Sequence, residues 1–165
     1  MSRCNLVCSC LAACLGLFGV GQCSEPATVE LKDVPADLQK AADTAAPGAK
    51  WKEVRRYYEE SLNPTTGQKS KALKFLFSCN YGKGGNWVTV SVDPSDKSTQ
   101  AEMWVSLDEV PAVVRTALLD NKILQNWRRI AAKGTSLNKI QEYEFMTSTG
   151  KSWVVSADGK KVDEF

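Results

Sequence analysis

The sequence predicts an α+β fold of two tandem helix-plus-antiparallel-sheet repeats, with the helices on one face of a largely antiparallel sheet. Three observations lead there. A segment near the start of the chain recurs in its second half. Each copy opens with a proline followed by apolar residues at helical intervals. Runs with a period of two follow each opening, separated by turn residues. The 165 residues, 43% hydrophobic and 24% charged, suffice for one core or for two small units sharing one.

Residues 1–23 read as a signal peptide. Arg3 is the only charge before Glu25, the residues from Leu6 to Val20 are mostly apolar or small, and Gly21 and Cys23 fit cleavage after Cys23. The apolar run is too short, and too rich in Cys, Ser and Gly, for a good transmembrane helix. Leu11-Ala12-Ala13-Cys14 also resembles a bacterial lipobox, so lipidation at Cys14 is the alternative. Either route exports the protein, to the periplasm or the exterior, or to a lipid anchor in the envelope. Five of the six cysteines (Cys4, Cys8, Cys10, Cys14 and Cys23) lie in this leader. Cys79 sits in an apolar run and reads as a small buried hydrophobe. If Cys23 survives processing, a Cys23–Cys79 disulfide is open to it in an oxidising compartment.

The repeat begins after the leader. Val29-Glu30-Leu31-Lys32-Asp33-Val34-Pro35-Ala36 aligns with Val105-Ser106-Leu107-Asp108-Glu109-Val110-Pro111-Ala112. The same spacing pairs Leu38 with Val114, Trp51 with Trp127, and Val54 with Ile130. A shorter spacing pairs Trp87-Val88 with Trp153-Val154. The copies are residues 24–104 and 105–165. Pro35 and Pro111 suit a first helical turn, and the preceding acids suit the helix dipole. Leu38, Ala41, Ala42 and Ala45, and Val110, Val114, Ala117 and Leu118, mark the apolar stripes. Pro47-Gly48 ends the first helix, and the second ends near Asp120-Asn121. Alternation predicts strands at about 50–60, 71–80, 86–93 and 99–105, then about 124–132, 139–147, 151–157 and 160–165. Asn63 to Gly67, Gly82 to Asn86 and Asp158-Gly159 supply turns. Two helices on one face leave the other face open as a working surface.

Pro47 to Trp51, the Val-Pro helix openings, and Tyr143-Glu144-Phe145 followed by Trp153 to Lys160 resemble the PepSY-like family, which shares the fold of the β-lactamase-inhibitor proteins. The resemblance covers about residues 29–165 and is strongest in the second copy. It implies an exported binding or inhibitory module and no catalytic residues.

Composition narrows the function classes. The chain has no histidine, which removes Ser–His–Asp and Cys–His catalysis and His-ligated metals. A formal net charge of +2 gives no basic face for nucleic acid. Gly82-Lys83-Gly84-Gly85 lacks phosphate-loop spacing, and Asp93, Asp96 and Glu102 lack a calcium-loop pattern. No cofactor or metal is expected. The candidate contacts are Trp104, Arg128, Arg129, Lys52, Arg56 and Tyr58, because Trp, Tyr and Arg anchor protein interfaces. Lys52, Arg55, Arg56, Arg128 and Arg129 read as a solvated strand face paired with Glu53, Glu59 or Glu60, or alternatively as a shallow cationic groove for an acidic peptide or partner loop. The expected function is a non-enzymatic exported module with a protein or peptide partner, one form being inhibition or regulation of a secreted or envelope hydrolase. The alternative is a scaffolding envelope component without a single partner, meeting the membrane only if lipidated.

Overall fold

The computed structural model describes residues 26–62, 65–123 and 127–165. The leader, with Cys14 and Cys23, lies outside the described residues, as do Asn63 and Pro64 of the first turn. The elements run β1 (Ala27–Val29), α1 (Ala36–Ala45), β2 (Glu53–Leu62), β3 (Lys69–Tyr81), β4 (Asn86–Val92), β5 (Thr99–Trp104), α2 (Ala112–Asp120), β6 (Trp127–Ser136), β7 (Lys139–Thr147), β8 (Ser152–Ser156) and β9 (Val162–Glu164). Each helix follows a short 3-10 turn and a proline that stands just ahead of its first residue. Gln39 Nε2 donates to the Leu31 and Val34 carbonyls and ties the first turn to α1. Ser106 and Glu109 form a capping box that closes the 3-10 turn ahead of α2. The buried stripes are Leu38, Ala42 and Ala45, and Val114, Ala117 and Leu118.

The expected pair of tandem helix-plus-sheet repeats in an α+β arrangement is corrected by the strand pairing. Among the described residues the strands form one nine-stranded antiparallel sheet in the order β1 to β9, carrying two α-helices of ten and nine residues. β5 pairs directly with β6, from Ala101 opposite Gly134 to Trp104 opposite Ala131, so backbone hydrogen bonding runs straight through the expected boundary. The Leu137 N–H, in the β6–β7 turn, donates to the Ala45 carbonyl at 2.8 Å and caps α1 from the far half of the chain. Residues this far apart in sequence hold the same sheet together.

Directly opposed residues share a face, so the register sorts the side chains. One face carries Val54, Phe77, Val90 and Ala101 in one row, and Cys79, Val88, Met103, Ala132, Tyr143 and Val155 in another. Both helices pack on this face. Leu38 and Ala42 meet Phe77 and Val90, while Val114 and Leu118 meet Phe145 and Val155. Trp51 lies edge-on to Phe77 with ring centroids 5.4 Å apart, and Trp127 packs on Phe145 at 5.2 Å. The pairing of Trp87 with Trp153 does not carry over. Trp153 opposes Phe145 and is buried on the helix side, whereas Trp87 opposes Asn80 on the other face. Between the two aligned dipeptides the facing parity is reversed, and a change of one residue reverses every side chain of a strand.

Candidate functional site

Among the described residues no helix covers the second face of the sheet. Its central row is Ser78, Thr89, Glu102, Lys133, Glu142 and Ser156, each opposite the next. Three charged side chains here are buried: Glu102 is 9% exposed, Lys133 7% and Glu144 2%. Lys133 Nζ stands 2.7 Å from Glu144 Oε2. The contact is a charge contact rather than an aligned hydrogen bond, since Oε2 has no hydrogen-bond partner among the described residues. The Trp104 indole N–H donates to Glu102 Oε1 at 3.1 Å, and the Arg129 guanidinium lies 5.4 Å from the Trp104 ring centre.

A cleft of about 1150 Å³ crosses this face from Glu59 on β2 to Glu164 on β9. Lys133 and Glu144 line its middle. At one side Lys74 Nζ holds Asp93 at 2.8 Å and Glu59 at 3.8 Å. Asp93 also accepts from the Ser95 hydroxyl and backbone N–H. Lys74 first, then those two donors, hold the Asp93 carboxyl far below the usual carboxylate range. At the other side Lys161 pairs with Asp163 at 2.6 Å. Asp163 raises the Lys161 ammonium above its ordinary value, through its hydrogen bond and its charge.

The six residues expected from sequence divide among separate surfaces. Trp104, 42% exposed, and Arg129 meet on the helix-free face. Arg128 is exposed and, together with Arg129 and Arg115, lines a hollow of about 840 Å³ beside α2. Arg56 and Tyr58 oppose Phe75 and Leu73, so they stand on the helix side of β2. Lys52 precedes β2 and is exposed, and its backbone N–H donates to the Ser78 carbonyl. Arg128 and Arg129 therefore share a hollow, whereas Lys52 and Arg56 lie apart from it. Neighbours in a strand face opposite ways, which parts Arg55 from Arg56.

Glu102, Lys133, Glu142 and Glu144 were not singled out as contacts by sequence reasoning. Their signal was available: the small residues Ala131, Ala132 and Gly134 flank a lone lysine, and two glutamates alternate around the buried Tyr143. Cys79 is free, fully buried on the helix side, and its thiol is pushed up by that burial. Among the described residues no group of His, Cys, Asp and Glu is placed to hold a metal ion. Comparisons with family models, curated proteins and solved structures return no match.

Proposed function

We propose that the protein is an exported, non-enzymatic binding module that takes a protein or peptide partner on its helix-free sheet face, one form being inhibition or regulation of a secreted or envelope hydrolase. The observation that carries this reading is the burial of Glu102, Lys133 and Glu144 on a face that no helix covers. Buried charges cost several kcal/mol of desolvation each, and well-packed apolar residues in their place are often as stable or more so. Charges kept at that cost beside a cleft fit recognition better than stability. The leader sequence supports export, with an anchor at Cys14 as its other form. The short motifs that resemble the PepSY-like family imply the same kind of module. The chemistry of the chain agrees: it has no histidine, and its one described cysteine has a buried, weakly acidic thiol.

The test is site-specific photocrosslinking in the native envelope and secreted fractions. The full chain carries an affinity tag in the exposed Gly82–Gly85 turn. A photoreactive residue replaces Gln100 on the helix-free face or Val113 on α2. One dominant adduct from position 100 and none from 113 is the expected result. The same diffuse set of adducts from both positions would favour a scaffold without a single partner.

A further inference from the structure

We propose that the cleft on the helix-free face receives a basic, extended segment of the partner, with its lysine or arginine side chains set against the carboxylates around Lys133. The inference rests on the reading of this face as a binding surface and gives the partner its chemistry.

Charge points that way first. Six carboxylates and three ammonium groups line the cleft. The three ammonium groups are already engaged: Lys74 with Asp93, Lys133 with Glu144, and Lys161 with Asp163. Glu164 is held by Lys151 at 3.0 Å. Glu142 stands directly opposite Lys133 and closes no salt bridge among the described residues, although its charge is felt by Lys161. Glu59 has only the 3.8 Å share of Lys74. The chain as a whole is net positive, so the acidity belongs to the cleft and not to the protein at large. A partner with acidic side chains would meet repulsion there, contrary to the groove suggested by the arginines in the sequence.

Glu144 is almost fully buried and lines the cleft, and its Oε2, 2.7 Å from the Lys133 ammonium, accepts no aligned hydrogen bond from a described residue. Lys133 supplies the charge partner of that oxygen, so the groups open to a partner are the other carboxylates of the cleft, which accept hydrogen bonds and cannot donate them. Guanidinium and ammonium groups bring donors together with the matching charge.

The shape selects a chain over a compact ligand. The lining reaches from β2 to β9 across the strands. With strands about 4.8 Å apart, those seven intervals span about 34 Å along the surface. Spread over that length, the cleft is about 35 Å² in section, the width of one extended chain. An extended segment of about ten residues would fill it.

The experiment titrates the purified protein by calorimetry with an alternating Lys/Gly peptide of about that length, at about 0.15 M salt, where exposed charges are screened beyond about 8 Å. The controls are a matched Glu/Gly peptide and spermine. The expected result is saturable binding of the Lys/Gly peptide alone, weakened at least tenfold by Glu142→Gln with Asp163→Asn. Both positions are only partly buried, so the fold tolerates the change, and circular dichroism checks this. Glu30→Gln, before α1, leaves binding unchanged. No saturable binding, equal binding of the Glu/Gly peptide, indifference to the cleft variant, or spermine binding as tightly as the peptide would each overturn the proposal. If the position-100 crosslink persists while the peptide fails, only the partner's chemistry falls. If both fail, the binding face itself falls.

Discussion

Replacing Lys133 with Met strands a buried carboxylate. At the observed 2.7 Å and an effective dielectric of about 20, the Lys133–Glu144 attraction is about 6 kcal/mol. Desolvation of the two ions returns several kcal/mol apiece, so the intact pair is close to neutral for stability. Lys133→Met removes the attraction and leaves the Glu144 desolvation cost in place, so it should lower the free energy of unfolding by about 3–5 kcal/mol. The double change Lys133→Met with Glu144→Leu removes both charges and should return stability to within about 1–2 kcal/mol of the parent. Urea unfolding followed by tryptophan fluorescence measures all three proteins, with the m value checking that the transition stays two-state. A single change costing under about 1 kcal/mol, or a double change as costly as the single, would refute the reasoning. In the first case the pair would be effectively solvated. In the second it would be a stabilising element, and its retention would need no appeal to recognition.

Three further outcomes are expected. Asp93 has a folded pKa below its unfolded one, so its contribution is full above about pH 4 and fades as pH falls through the folded value; acid unfolding of Asp93→Asn should show a flatter limb in that range. Gly134 lies at an irregularity of the β6–β7 register, where an added Cβ would meet the Lys139 carbonyl, so Gly134→Ala should cost about 1–3 kcal/mol or more in urea unfolding. Cys79 should resist thiol reagents in the native protein and react on unfolding, and fast native labelling would contradict its burial.

The local elements were legible because their signals are local. Pro35 and Pro111 sit immediately before helices whose buried residues are the ones the helical spacing picked out. Phe75, Phe77 and Cys79 alternate as a buried strand should. β1 was not separated from the approach to the first helix, because Ala27–Val29 is short and mostly exposed and is a strand only through its pairing with β2. The direct joining of β5 to β6 was not legible for a related reason. The pairing of Ala101 with Gly134 depends on two distant strands meeting edge to edge, and neither sequence encodes that meeting by itself. The site divides in the same way. Trp104 and Arg129 were picked out and do meet, but across β5 and β6, which no spacing along the chain reveals. The depth of Glu102, Lys133 and Glu144 was not legible, since alternation says which side a residue faces and not how deeply it lies.

Hydroxyl-radical footprinting of the protein, alone and with its captured partner, tests the binding face most directly because it reads side-chain exposure residue by residue. Trp104 and Phe165 are exposed on or beside the helix-free face, whereas Tyr58, Val113 and Leu119 are exposed on the helix side. Protection of Trp104 and Phe165 with unchanged oxidation of Tyr58, Val113 and Leu119 is the predicted result. Protection of the helix-side residues, with Trp104 and Phe165 unchanged, would contradict it and move the partner to the other side of the sheet.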